Sequence, residues 1–533
     1  MKYAKHVASK ATPQTMPVAG KPTIPNSAGG YSFAVDDWVR LDRFLILGCE
    51  GGSYYATEQK LTAENAEAVI RCAKADGAET VRRIVAVSEA GRAPKNDPAV
   101  FALALVAANA DAAGKKAAYA AVPSVCRTGT HLFQFAAASD ALRGWGRGLR
   151  QAIADWYLKK DPRAVAYQVT KYQQRDGWSH RDVLRLAHPK ADGVLNDVLR
   201  WAAKKADAET VWTEVPGKDD PLAPIYATEA ARKLTRESEI VRLILDYRLV
   251  RECIPTQFLA SAEVWEALLF DMPLTAMLRN LATMTRVGLL TAESVSTKKV
   301  VAELTDIERL KKARVHPLAL LTALKTYESG KGVKGSATWT PVPEVVRALN
   351  DAFYLAFETI VPTGKQWLLA LDVSGSMACG QVGGMAGITP RVGSAAMALV
   401  TAATEPQHTI LGFSNTLVPV NIGPKLRLDT AVREIDKIPM GGTDCALPMF
   451  HAAAKKLPVD VFVVYTDSET WFGKVHPFQA LKQYRDKTGI PAKLAVVGMV
   501  ANKFTIADPS DAGMLDFVGF DTAAPAVMAD FAR

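Results

Sequence analysis

One change of grammar constrains what this chain can fold into. From about Asp36 to Phe357 the sequence reads as helix after helix. At Val361-Pro362-Thr363-Gly364 it turns to short apolar strands alternating with helices. In the first part, an amphipathic run over Leu61–Asp76 is followed by Gly77, and one over Thr80–Ala90 by Gly91. Asp97-Pro98 sets a cap and a proline at a helix start, and the helix is expected to run to Gly114; Asp161-Pro162 repeats the opening. Glu263–Leu269 and Leu274–Met284 continue the series. Helix pairs in such number cannot share one compact core, so they stack as an α-solenoid. The 533 residues therefore divide into a polar arm over 1–30, expected to be flexible, a helical domain over 31–360 and an α/β domain over 361–533.

In the last of these, Trp367–Leu371 is an apolar run ending in Asp372. A small-residue helix follows around Gly393–Thr404, then a strand at Thr409–Phe413, a helix over Asp444–Lys456, and strands at Val459–Tyr465 and Lys493–Met499. Alternation of this kind makes a mainly parallel sheet, with ligands held by the loops at the carboxyl ends of its strands.

Charge separates the two parts as well. The net charge is +9, yet Val361–Arg533 holds 15 basic and 15 acidic residues, so the whole excess lies between Met1 and Ile360. A nucleic-acid surface is expected on the helical domain. The six cysteines stand singly, without zinc or redox spacing, which suits a reducing compartment. The longest uncharged apolar stretch, Ala99–Ala110, is too short to span a bilayer, and Met1–Ser27 has no apolar segment of the signal-peptide kind. A soluble, cytoplasmic monomer is expected, with no membrane partner.

Two constellations carry chemistry. Asp372-Val373-Ser374-Gly375-Ser376 puts a carboxylate and two hydroxyls on one turn at a strand end. Thr443 and Asp467 stand at two further strand ends. All are hard oxygen donors, suited to Mg²⁺ or another divalent cation with one position left for a ligand's acid group. A capped turn alone would also explain the D-x-S-x-S run. The second constellation is basic. Ser179 and Asp182 form a capping box, so a helix starts at His180 and stops before Pro189. Arg181, Arg185 and His188 recur at i, i+4 and i+7 on one face, while Val183, Leu184, Leu186 and Ala187 face inward. Lys171 and Arg175, read as the end of the preceding helix, can join the stripe, with Trp178 as an exposed aromatic. Lysines and arginines so placed meet phosphates. Arg143, Arg147 and Arg150 make a further candidate stripe on a glycine-interrupted helix, and His316 before Pro317 reads as a structural hydrogen-bonding group.

The oxygen donors resemble the metal-ion-dependent adhesion site of von Willebrand factor type A domains. Other stretches resemble the TROVE module of the Ro autoantigen family: Arg43-Phe44, Gly48–Tyr55, Thr130–Phe133, Trp145-Gly146-Arg147, Ala152–Tyr157, Met272–Thr275 and Arg314–Pro317. The alanine-rich composition fits a bacterial member. The resemblance implies a ring of HEAT-like helical repeats closed by a Rossmann-like von Willebrand factor A domain. It implies a divalent cation on Asp372, Ser374, Ser376, Thr443 and Asp467, a domain that binds partners without doing chemistry, and small non-coding Y RNA on the outer surface. By position Lys171, Arg175 and His188 match the family's Y RNA contacts, with Arg181 and Arg185 in the matching helix. Misfolded or immature RNAs with single-stranded 3′ ends would enter the central hole, in concert with a 3′-to-5′ exoribonuclease. The segment between Phe135 and Trp145 is short for the family. The competing reading is a metal-dependent hydrolase or nuclease using Asp372 and Asp467, although a two-metal site needs more carboxylates.

Overall fold

The structure is a computed structural model and describes residues 11–203, 216–332, 336–357, 361–385, 387–418, 420, 422–423, 426–439 and 441–533. Helices fill the first part and begin and end where the sequence sets caps. Asp76 closes the helix Glu58–Ala75 and caps the next, Gly77–Ala90, through Glu79 N–H at 2.8 Å. Gly77 thus opens a helix where the sequence suggested a stop. It is needed there because a Cβ would stand 2.8 Å from Ala110 Cβ and 2.9 Å from Gly114 Cα, where two helices cross closely.

The helix expected from Asp97 to Gly114 is two helices, Asp97–Asn109 and Ala112–Val125. Ala110 is extended, and the Asp111 carboxylate accepts from Gly114 N–H at 2.8 Å, so the second helix has its own cap. Likewise Gly144, at φ 77°, ends the helix Gly129–Arg143, and a new one runs over Arg147–Leu158. Arg143 therefore lies on a different helix from Arg147 and Arg150.

Eleven strands are described: β1 (Thr23–Pro25), β2 (Tyr31–Ala34), β3 (Gln174–Arg175), β4 (Trp178–Ser179), β5 (Trp367–Asp372), β6 (His408–Phe413), β7 (Leu417–Val418), β8 (Val461–Thr466), β9 (Lys493–Gly498), β10 (Phe504–Thr505) and β11 (Met514–Val518). The main sheet has the order β11-β9-β8-β5-β6-β7, parallel except for β7 at the edge. Strands β5 and β8 are buried along their whole length, as parallel strands covered on both faces must be. Their neighbours lie on opposite sides, β6 beyond β5 and β9 beyond β8. The sheet therefore switches direction between β5 and β8, and Asp372 and Asp467 stand at their carboxyl ends, where such sheets hold ligands.

The segment expected as a free arm is, from Ala11 on, part of the α/β domain; Met1–Lys10 lie outside the described residues. Strands β1 and β2 pair with β10 in an antiparallel sheet. Gln14 is fully buried and donates to Asp444 at 2.7 Å and to the Val475 carbonyl at 2.8 Å.

Both ends of the helical series meet the α/β domain. On the first helix, Asp37–Leu47, buried Arg43 donates to both Asp516 oxygens of β11 at 2.7 and 2.8 Å and to the Phe504 carbonyl at 2.9 Å. Near the other end, His316 caps the helix Pro317–Glu328 and reaches Phe520. The second half of the helical series and one face of the main sheet share one continuous apolar core, from Ile240 through Leu321 and Phe353 to Leu369 and Val463. Among the described residues no helix is long and apolar enough to cross a membrane.

Candidate metal centre and nucleic-acid interface

The five oxygen donors predicted from the sequence stand on three adjoining loops. Asp372 ends β5; its Oδ1 accepts from Ser374 N–H at 2.9 Å and its Oδ2 from the Thr466 hydroxyl at 2.6 Å. Ser374 and Ser376 place their hydroxyls 3.1 Å apart. Gly375 N–H donates to the Gly441 carbonyl at 3.1 Å, tying the first loop to the second. The Thr443 carbonyl accepts from Trp471 and Phe472 N–H at 3.1 and 3.0 Å, tying the second to the third. All five donors are buried.

Electrostatics asks for a cation here. Burial and the neighbouring Asp467 charge push the Asp372 carboxyl up to about 7, and burial raises Asp467 too. Glu469, also buried, is pushed up to about 8 by burial and then by Asp467. Among the described residues none of the three has a salt bridge to a lysine, arginine or histidine, so a hard cation between Asp372 and Asp467 would relieve the cluster. Glu469 turns away, accepting from Ser27 N–H at 2.7 Å. No three His, Cys, Asp or Glu side chains converge on one point among the described residues. The donor set that fits a cation is therefore two carboxylates with the hydroxyls of Ser374, Ser376 and Thr443, leaving positions for water or a ligand.

The basic surface is divided by the fold. The capping box at Ser179 is formed in both directions, and the helix His180–Ala187 follows. Arg181, Arg185 and His188 are exposed on one face while Val183, Leu184 and Ala187 are buried. Arg181 and Arg185 make no ion pair with any described residue, which leaves both for an external anion. Lys171 does end the helix Pro162–Lys171. Its Nζ donates to the Tyr167 hydroxyl at 2.9 Å, over the rings of Tyr167 and Tyr172, and it lines a cleft with Arg248, Arg251 and Phe270. Arg175 does not belong to that helix. It sits on a two-residue hairpin, β3–β4, whose turn is Asp176-Gly177 with φ 51° and 80°. His188, at φ 49°, ends its helix and lines a separate groove of about 550 Å³ with Trp145, Arg147, Arg150 and Lys190. Trp178 is half-buried and stacks on Trp145, centroids 6.1 Å apart.

Comparison with known proteins accounts for nearly the whole chain. A family model described as the TROVE domain matches residues 24–249 and 240–326, and one described as the Ro60 vWA domain matches 366–532. The chain belongs to the Ro60 family. It is 45% identical over 513 residues to the RNA-binding protein RO60 of Deinococcus radiodurans, covering 96% of this chain and 95% of the relative. It is 37% identical to the protein of that name in Caenorhabditis elegans, covering 98% and 92%. The crystal structure of the Deinococcus radiodurans RO (RSR) protein matches with a TM-score of 0.69, covering 93% of this chain and 99% of that one.

Within this Ro60 fold, sequence reasoning missed the residues that brace the candidate metal loops from afar. Gln14 accepts from the Thr470 hydroxyl, Asn26 donates to the Thr470 carbonyl at 2.8 Å, and Ser32 donates to the Ser468 carbonyl at 2.7 Å. Burial and then the charges of Asp467, Glu469 and Asp372 push the phenol of Tyr55, on the helical domain, well above its ordinary value. No local pattern marks these four, since their partners lie hundreds of residues away. Trp145 joins the basic surface only through folding, which also brings Arg147 and Arg150, read as a separate stripe, to the groove that His188 lines.

Proposed function

We propose that this chain is a non-catalytic RNA-binding protein whose helical domain and α/β domain close a ring. Small non-coding Y RNA binds the outer basic surface, and single-stranded 3′ ends of misfolded or immature RNAs enter the central hole. It works as a monomer in the cytoplasm, handing RNA to a 3′-to-5′ exoribonuclease in quality control and decay. The observation that carries the reading is the exposed, unneutralised face of Arg181 and Arg185 on the helical domain, whose residues 31–360 carry a net charge of +5. The relatives named RNA-binding protein RO60 support it. Mg²⁺ occupies Asp372, Ser374, Ser376, Thr443 and Asp467 as an adhesion-type site, supplying a positive centre for an acidic ligand. One experiment tests the whole reading. A labelled structured RNA with a 3′ tail is incubated with the protein, with and without Mg²⁺. Binding without cleavage is expected; cleavage would make the Asp372/Asp467 site a hydrolytic centre, and absence of binding would end the RNA reading.

A further inference from the structure

The helices Ala262–Leu269 and Leu274–Arg286 are joined through Phe270, whose side chain the fold leaves 72% exposed. One exposed apolar residue is ordinary, but Leu245, 50% exposed, lines the same cleft, and grouped exposure of this kind marks a contact surface. The ring is also fixed in place. Lys299, on the helix Val295–Leu304, donates from Nζ to the Phe270 carbonyl at 2.9 Å and stands over the ring, 5.0 Å from its centroid. Phe270 is thus held from one side and open to solvent over most of its surface.

The cleft beside it has a volume of about 140 Å³ and an apolar floor, to which Ile244, Leu268 and Met272 contribute buried side chains. Three cations line it from three separate elements: Lys171 ends the helix Pro162–Lys171, Arg248 follows the helix Glu237–Tyr247, and Arg251 stands on a short 3₁₀ turn. Two acids, Glu252 and Asp271, line it as well. Asp271 pairs with Arg248 at 3.4 Å, an exposed pair worth little against a competing anion. Arg251 is exposed and has no ion pair with any described residue. Asn280 spends its amide N–H on the Ala276 carbonyl at 2.8 Å and keeps its oxygen for the edge of a ligand.

An apolar slot, an exposed ring and cations on several sides fit a heterocyclic base flanked by phosphates. A base buries its face on an aromatic ring without a fixed hydrogen-bond pattern, and its phosphates meet lysine and arginine. Bases of a duplex are already stacked and paired, so only an unpaired one can enter. A peptide could fill the slot, but it carries no regular run of anions to match cations from three elements.

We propose that this cleft is a base-capture subsite: one unpaired nucleotide of a bound RNA strand stacks on Phe270, while the phosphates beside it meet Lys171, Arg248 and Arg251. The inference rests on the RNA reading above. It adds a place for an unpaired base, apart from the exposed face of Arg181 and Arg185.

The test uses the full chain and a single-stranded RNA of about ten nucleotides carrying one 2-aminopurine, a base whose fluorescence falls when it stacks. Quenching on binding is expected in the wild type. Phe270→Ala should abolish it and weaken binding about ten-fold, whereas Phe270→Trp, which keeps a stacking face, should bind at least as tightly as the wild type. An abasic nucleotide in place of the 2-aminopurine should cost the wild type about the same factor and cost Phe270→Ala nothing further. The same RNA annealed to its complement should bind both proteins alike. Phe270 is exposed, so its loss should leave the thermal midpoint unchanged. If it does not, Arg251→Gln decides: it should weaken the single strand more than the duplex, and an equal effect on both overturns the subsite. Single strand bound equally by wild type and Phe270→Ala, or a loss that the duplex shares, overturns it while RNA binding stands. A wild type that binds neither RNA sinks the RNA reading itself. The free 2-aminopurine ribonucleotide binding as tightly as the strand would make the cleft a mononucleotide site and overturn capture from RNA.

Discussion

His316 Nε2 stands 2.9 Å from the Phe520 carbonyl oxygen, while its Nδ1 accepts from Leu318 N–H at 3.1 Å. One imidazole thus caps a helix of the helical domain and donates to the α/β domain, which requires the neutral ring protonated at Nε2. Burial holds His316 down to about 4, and it holds His131 to about 4 and His180 to about 3.

Each of these rings stays neutral in the folded chain at a pH where the unfolded chain already binds a proton. Their contribution to stability is therefore complete above the ordinary histidine value of 6.5 and is lost as pH falls from there toward 4. Urea midpoints at pH 7.0, 5.5 and 4.5, chosen to cover roughly that window, should fall steadily. His316→Gln should flatten part of the slope; an unchanged slope would remove His316 from the account.

Removing the guanidinium of Arg43 leaves Asp516 buried without its partner. The Phe504 and Asn502 carbonyls lose their donor at the same time. Arg43→Ala should destabilise the fold by about 3–5 kcal/mol. Denaturant unfolding followed by fluorescence would measure it, and a loss under 1 kcal/mol, the order of an exposed pair, would mean the junction is held by apolar packing alone.

Asp372→Ala should abolish Mg²⁺ binding and leave RNA affinity within a few-fold, because the exposed face of Arg181 and Arg185 lies in the other domain. Calorimetry settles the first half and filter binding the second. A variant that binds Mg²⁺ like the wild type would mean the donors are misassigned.

Lys171 and Arg175 make different predictions now that their surroundings are known. Arg175 stands exposed on a hairpin and should behave as a phosphate contact, so alanine lowers the salt slope by about one counterion. Lys171, half-buried over Tyr167 and Tyr172, should lose a similar slope together with specificity for a structured RNA over a random one. Unchanged slopes in both would reduce the cluster to a solvated face.

A ring of limited bore admits a single strand and excludes a duplex of about 20 Å, and an admitted strand can stack its bases while basic side chains track its phosphates. RNA with a single-stranded 3′ tail should then outcompete blunt and circular RNAs of equal length, with weak base preference and strong salt dependence. Equal competition by all three would confine binding to the outer surface.

Much of this was legible because it is local. The strand β5 ends at the residue where its apolar run meets Asp372, and the capping box at Ser179 starts its helix on the residue expected. Arg175 was misplaced although the signal was present: Asp-Gly is the turn that a two-residue hairpin demands, and the helical grammar around it concealed it. The break at Ala110-Asp111 was hidden by an apolar run that continues up to it, where a cap outweighs the run's helical propensity. Tyr55 and Gln14 could not be found at all. Their roles depend on which surfaces meet after the chain has folded, and a window of sequence holds no trace of that.

The burial of Gln14 against Asp444 joins residues 430 positions apart. On a ribosome the first of them emerges long before the last, and early segments fold as they appear. The strand pair β1–β2 must therefore wait, unpaired along one edge, until β10 has been synthesised. The third candidate metal loop receives its braces only once Ser468 and Thr470 have themselves been made. Maturation of this protein is consequently a closing event that follows elongation, and a tag or fusion placed just ahead of Gln14 would be felt first at the loops of Asp444 and Thr470, a whole domain away in sequence.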